Sequence, residues 1–322
     1  MGIFSLERAH ESYTQYARLS ERELSLMRRS YSTLGRANKN IRYKIGYPRK
    51  LDRMKDITDL NAMITDGIAE LAVEEFPSLK TRDPAAAGSA DLGRVQESLK
   101  HFLQDWSKEG AAERTRIFAP ILDFRARLFL AEREVDAAAG YDTTANELSF
   151  FMTLPLRFLL FPKTTTTPIE HILCPYAHRF SHQRTNDSLF RGISFPDVAP
   201  RLRPTFRLVE EGFTKLKAHH PTKMMHMYMD RYNYVVTLFF IDTSLDLLST
   251  LNHIHTLLRP GGTWINLGPL LWTGGAQAKV ELSLEEVLQA VEEGKEYGNR
   301  RAGGRRHCSR LYQVSRAKSA LG

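Results

Sequence analysis

The chain has 322 residues, 42% hydrophobic, 25% charged and 10% aromatic, and a net charge of +8. That composition suits a globular protein with one large core or two modest ones. Its two cysteines, Cys174 and Cys308, are too few for a disulfide framework, and "MGIFSLERAHESY" lacks the basic-then-apolar order of a signal peptide, so an intracellular, reducing compartment is expected.

The first third reads as helical. Leu51, Met54, Ile57, Leu60, Met63, Ile64, Ile68 and Leu71 recur at steps of three and four, which predicts an amphipathic helix with a buried stripe. After the linker "RDPAAAGSADLG", Leu92, Val95, Leu99, Phe102, Leu103 and Trp106 repeat the pattern. Such stripes are core, and periodicity assigns them no ligand. The longest apolar run, "LSFFMTLPLRFLLF", is too short to span a bilayer and is broken by Pro155 and Arg157. His171, Cys174, His178 and His182 have spacings that suit zinc, but Pro175 interrupts any helix there and a single thiolate is unusual in a structural site, so no metal is expected. "TTTT" before Pro168 reads as loop, and "HHPTKMMHMYM" as an irregular insertion.

Farther on, "YNYVVTLFFID" is a continuous apolar run ending in Asp242, as expected of a parallel strand buried on both faces. Leu245, Leu248, Leu251, Ile254 and Leu258 predict a helix that "RPGG" ends, and "TWINL" starts the next strand, which makes a β-α-β unit. A further helix opens at Ser283, with Glu286 placed to close a capping box. In open α/β sheets the ligand lies beyond the carboxyl ends of the strands, where Asp242 and "GPLLW" fall. From Lys295 onward, eight Lys and Arg stand against Glu296, so +7 of the net +8 resides in the last segment. A Gly/Arg stretch such as "GNRRAGGRRHCSR" reads as a solvated, disordered end, with binding to phosphate backbones as the alternative.

"LFFIDT", "LRPGGTWINLGPLLW", "NELSFFM", "ISFPDV" and "DWSKEGAAER" together resemble the carnosine N-methyltransferase family over about residues 50 to 290. The resemblance implies an α/β fold: a Rossmann-like class I methyltransferase domain, here incomplete, with an N-terminal helical region. It divides the chain into a helical region at 1–115, a methyltransferase-like domain at 116–294 and a basic tail at 295–322. The implied activity is transfer of a methyl group from S-adenosylmethionine to an imidazole nitrogen of β-alanyl-histidine. Neutral imidazole has one donor and one acceptor nitrogen, so a carboxylate that accepts from the N–H leaves the other lone pair free to attack. Asp242 matches the family's substrate-contacting aspartate; capping a helix that begins at Thr243 is the competing role. For the cofactor the resemblance points to Glu147, as a ribose-binding acid or else a solvated glutamate, and to Phe213 beside the adenine.

Several positions depart from the family. Gly212 stands where an aspartate is expected, Leu238 in place of a small cysteine, and His101 and Gln104 in place of a Gln/Arg pair. Thr273 replaces a substrate-contacting histidine. Between "FAPILDF" and "AAAGYDTTANE" only "RARLFLAEREVD" remains, Gly-free and too short for a strand, a glycine loop and a helix, so weak cofactor binding is expected. Beyond Glu293 neither strands nor site-closing tyrosines are legible. A catalytically defective remnant or binding module, and nucleic-acid binding through the tail, remain the alternatives. The expected partner is a small imidazole dipeptide, with neither membrane nor nucleic acid, a homodimer is open, and the expected localisation is cytoplasmic with a nuclear pool.

Overall fold

The computed structural model describes residues 4–81, 90–117, 143–178, 180–181, 183–199, 206–217, 231–272, 277–301 and 310–313, with side chains described as far as Glu293. Its described residues form a mixed helix-and-strand protein of two compact units. Those before Phe118, together with those between Val135 and Glu210, make the first, and those from Glu211 onward make the second. The segment in which no glycine loop is legible lies largely outside the described residues, as do the "HHPTKMMHMYM" insertion and His182.

The first unit begins with helices α1 (Leu6–Thr14), α2 (Tyr16–Ser32), α3 (Arg36–Lys44), α4 (Tyr47–Glu75) and α5 (Leu92–His101), the last running into a π-helical turn at Phe102–Trp106. Ser5 caps α1 by accepting from the Arg8 amide, and Asp91 caps α5 by accepting from the Arg94 amide. The predicted stripes are buried at Leu51, Met54, Ile57, Ile64, Ile68 and Leu71 of α4, Val95 and Leu99 of α5, and Phe102 and Leu103 of the π-helical turn, with Leu60, Leu92 and Trp106 half-buried. Of the stripe only Met63 is exposed, at 71%. Its place on the buried face is taken by polar residues, Asn61 and Thr65, whose hydrogen bonds are all internal.

Two such networks fix how these helices pack. The Tyr13 hydroxyl donates to the Phe151 carbonyl at 2.6 Å and pairs with Ser98 Oγ at 2.7 Å; burial drives its pKa far above the usual phenol range. The Asn61 side chain accepts from the Cys174 amide at 2.8 Å and donates to the Cys174 carbonyl at 3.0 Å and the Tyr16 hydroxyl at 3.2 Å. One side-chain amide thus meets both backbone groups of Cys174 and the Tyr16 hydroxyl, the Cys174 carbonyl also accepting from the Ala177 amide at 3.4 Å. The apolar run after Glu147 forms the helix Phe150–Leu160, which packs against α4 so closely that a Cβ on Gly67 would lie 2.9 Å from the Phe158 ring. No helix among the described residues is long and apolar enough to cross a membrane.

Two small sheets complete this unit. Strand β1 (Thr143–Asn146) pairs in parallel with β4 (Phe206–Val209), and β2 (His171–Leu173) pairs antiparallel with β3 (Ile193–Phe195). Thr164 to Thr167 form a turn and loop, as their composition suggests.

In the second unit β5 (Tyr232–Leu238), the helix Leu247–Leu257 and β6 (Leu258–Leu267) form the expected parallel β-α-β unit. Three details differ from what the sequence pattern suggests. Strand β5 ends at Leu238, before "FFID", and it alternates: Val235 and Thr237 are buried while Val236 is 44% exposed, so only one face is covered. "RPGG" lies within β6 as an irregularity, because the register steps from Tyr232 opposite Leu258 to Tyr234 opposite Thr263. Gly261 takes a φ of 76° there, a conformation that favours glycine. Third, the segment after Glu293 does contribute a strand: the helix Leu284–Arg301 is followed by β7 (Arg310–Gln313), parallel to β6. Four residues of mixed polarity carry too little pattern to be read as a strand; the backbone partner decides it. The Ser283/Glu286 capping box forms as predicted, with the Ser283 amide donating to Glu286 Oε2 at 2.7 Å and the Glu286 amide to Ser283 Oγ at 3.3 Å.

Candidate functional site

In the second unit the residues at issue gather at the carboxyl ends of β5 and β6. A polar ladder locks the two strands: Trp264 Nε1 donates to Thr237 Oγ1 at 2.8 Å, and Thr237 donates on to Asn266 Oδ1 at 2.8 Å, all three residues being buried. Leu238 sits opposite Leu267 at the end of that pairing. The chains then leave the sheet in contact, with the Phe239 amide donating to the Leu267 carbonyl at 2.7 Å. Gly268 has φ 151°, and a Cβ there would come 2.9 Å from Phe239 Cα, so the glycine of "INLGPLL" is required by close approach of the backbones.

Asp242 lies in the 3₁₀ turn Ile241–Thr243 and is only 6% exposed. Its Oδ2 accepts from the Leu271 amide at 3.1 Å, tying the segment after β6 to the segment after β5. Its Oδ1 has no partner among the described residues. The competing role of helix cap belongs instead to Asp246, which accepts from the Ser249 amide at 3.1 Å at the start of the Leu247–Leu257 helix. Asp246 is held at a pKa of about 2, chiefly by its hydrogen bond from Lys279. One aspartate therefore does the capping, and the other is left buried with an accepting oxygen to spare.

Phe213 opens a 3₁₀ turn after Gly212, and its ring is braced edge-on by Phe240 at 5.0 Å and His253 at 5.3 Å. Nothing in the sequence marked those two braces, because an aromatic near a strand end and a histidine on a helix carry no pattern. His253 Nε2 is buried without a hydrogen-bond partner among the described residues. Gly212 has ordinary backbone angles and open space around its Cα, so nothing local demands glycine. Thr273 lies outside the described residues.

The remaining candidates belong to the first unit. Glu147 follows β1 directly, half-buried, and its Oε1 accepts from the Ser149 amide at 2.8 Å at the entry to the Phe150–Leu160 helix. His101 Nδ1 is 2.9 Å from Asp105 Oδ2, a hydrogen bond that raises its pKa, and the Glu147 charge adds to that rise. Gln104 is exposed on the π-helical turn, its carbonyl accepting from Arg114. The structure thus draws His101 and Glu147 into one electrostatic neighbourhood, and separately gathers Leu238, Asp242 and Phe213.

No group of three or more His, Cys, Asp or Glu among the described residues could hold a metal. His171 Nε2 meets Thr165 Oγ1 at 3.0 Å, Cys174 Sγ donates to the Phe190 carbonyl, and His178 Nε2 meets Thr58 Oγ1 at 3.0 Å, so the three side chains serve different neighbours.

A family model for carnosine N-methyltransferase matches residues 133–302, a little over half of the chain. The chain belongs to the carnosine N-methyltransferase family. The carnosine N-methyltransferase of Mus musculus is 29% identical over 276 residues, covering 76% of this chain and 66% of the relative. That of Schizosaccharomyces pombe is 26% identical over 320 residues, 87% of this chain and 83% of the relative. In Drosophila melanogaster, carnosine N-methyltransferase unmet is 28% identical over 235 residues, 65% of this chain and 49% of the relative. The chain spans just under two thirds of the length of its mouse and rat relatives. The family match runs through β1, the β5–helix–β6 unit and the Leu284–Arg301 helix, and so takes in Glu147, Phe213, Leu238 and Asp242.

Proposed function

We propose that this chain is an S-adenosylmethionine-dependent N-methyltransferase that methylates an imidazole nitrogen of carnosine to give anserine, and that residues 116–294 are its Rossmann-like class I domain. The observation that carries this reading is Asp242: a carboxylate buried at a parallel-strand end, with Oδ2 fixed by the Leu271 amide and Oδ1 unclaimed. Oδ1 is suited to accept the N–H of a neutral imidazole, which selects the tautomer and leaves the opposite nitrogen's lone pair to attack. Positioning of this kind supplies a large share of the help that a displacement needs.

The cofactor supplies an electrophilic sulfonium methyl. The residues that would hold it are Glu147, whose Oε1 is occupied by the Ser149 amide while Oε2 remains for a ribose hydroxyl, and Phe213, whose ring is backed by Phe240 and His253. Leu238 at the end of β5, and His101, Gln104 and Gly212, complete the proposed cofactor set, and Thr273 joins Asp242 toward the substrate. Purified chain incubated with carnosine and methyl-labelled cofactor tests the reading: labelled anserine is expected. No methyl transfer to any imidazole dipeptide, with cofactor at saturating concentration, would overturn it.

A further inference from the structure

Summed over the chain, nearly all the net charge belongs to the last segment, but the fold reveals a second basic locus hidden in that sum. Between Arg28 and Lys50 stand eight Lys and Arg and no Asp or Glu. Arg28 is paired with Asp52 at 2.7 Å and Lys50 lies over the Phe180 ring. The other six, Arg29, Arg36, Lys39, Arg42, Lys44 and Arg49, have no ion pair among the described residues. Helix α3, at the centre of this stretch, buries no residue at all. It is held at its far end, where Arg42 lies over the Tyr47 ring and Tyr47 meets Tyr31 at 5.7 Å.

Unpaired like charges three residues apart repel one another, so such a helix is costly unless an anion meets it. At about 100° per residue, Arg36, Lys39 and Tyr43 fall within roughly 60° of one another on α3, and Ile41 and Ile45 fall on the opposite side. Tyr43 is 69% exposed, an aromatic face standing among cations.

We propose that α3 and its flanking turns form a binding surface for single-stranded nucleic acid, with Arg29, Arg36, Lys39, Lys44 and Arg49 meeting phosphates and Tyr43 stacking on a base. Cations that track a backbone together with an aromatic platform are the two elements of sequence-tolerant single-strand binding. An anionic bilayer fits less well, because interfacial helices bury an extended apolar face and α3 offers only two isoleucines for one.

The test is fluorescence anisotropy of the full chain with a labelled twelve-nucleotide poly(U) RNA, across 50 to 200 mM salt. With four to six phosphates engaged, log K should fall against log salt with a slope of about −3 to −4, a loss of roughly a hundredfold over that range. The variant Arg36→Gln, Lys39→Gln, Lys44→Gln should flatten the slope by about 2, while Tyr43→Ala should weaken binding roughly tenfold at an unchanged slope. Neither should lower the melting temperature, since α3 buries no residue and removing like charges relieves repulsion. Arg305→Gln with Arg306→Gln, in the tail, should leave binding unaltered. The proposal is overturned if RNA does not bind at 50 mM salt, if the tail variant abolishes binding while the α3 variant does not, or if the chain binds phosphatidylserine vesicles and not RNA.

Discussion

Replacing Asp242 separates two jobs that the structure assigns to one carboxylate. Oδ2 holds the Leu271 amide and Oδ1 is the oxygen offered to imidazole. Asparagine has a single carbonyl oxygen. If that oxygen stays with the Leu271 amide, the NH₂ group points at the imidazole N–H, a donor meeting a donor. In Asp242→Asn the tether therefore survives as a neutral hydrogen bond, costing about 1 kcal/mol or less, whereas methyl transfer should fall by about 10² to 10⁴, the range for loss of an acid–base partner. Asp242→Ala removes both functions. A hydrogen bond to a charged acceptor contributes about 1.5–3 kcal/mol, and for a protein of this size each kcal/mol moves the melting temperature by roughly 2–4 °C. The alanine variant should thus melt several degrees lower and be equally inactive. Thermal denaturation and initial rates with labelled cofactor would be run on the same preparations. An asparagine variant with wild-type turnover would remove Asp242 from the chemistry, and an alanine variant with wild-type melting would remove the tether.

Asn61→Ala strands the Cys174 amide and the Tyr16 hydroxyl in the core, at about 1–3 kcal/mol for each buried group left unpaired, while the Cys174 carbonyl keeps the Ala177 amide; urea denaturation should show a total loss of about 2–5 kcal/mol, against less than about 0.5 for the exposed Met63→Ala. His178 is buried with Nδ1 unpartnered and Glu23 no nearer than 4.0 Å, and burial depresses its pKa to about 4 from an ordinary 6.5. The unfolded chain therefore takes up a proton that the folded one refuses, so stability is intact above about pH 6.5 and falls as the pH drops toward 4, by about 3 kcal/mol in all. His178→Gln should remove that part of the pH dependence, and an identical profile in the variant would assign the acid sensitivity elsewhere. For the cofactor, the sequence between Phe124 and Ala137 contains no glycine, and a site without the two or three amides of a glycine loop forfeits about 1.5–3 kcal/mol for each, so with 1.4 kcal/mol a factor of ten calorimetry should return binding nearer millimolar than micromolar. Micromolar affinity would mean that another segment supplies those donors.

Local chemistry makes much of this protein legible in its sequence alone. The 3.6-residue recurrence of Leu51 to Leu71 implies α4 because one face of a helix must leave water, and Ser283 with Glu286 implies a helix start because two orphan amides need acceptors. The turn and strand of "LRPGGTWINLGPLLW" imply a β-α-β unit, and with it the place where a ligand would sit. Tertiary structure decided what depends on partners distant in sequence. It exposed Met63 and buried Asn61, because the loop carrying Cys174 brings backbone groups that only an amide can satisfy. It gave capping to Asp246 rather than Asp242, and so left Asp242 a free oxygen beside a backbone tether 29 residues away. Phe240 and His253 became the supports of Phe213 only when a turn, a strand end and a helix met. A strand at Arg310–Gln313 exists because β6 offers it backbone hydrogen bonds, a complementarity that four residues do not carry by themselves.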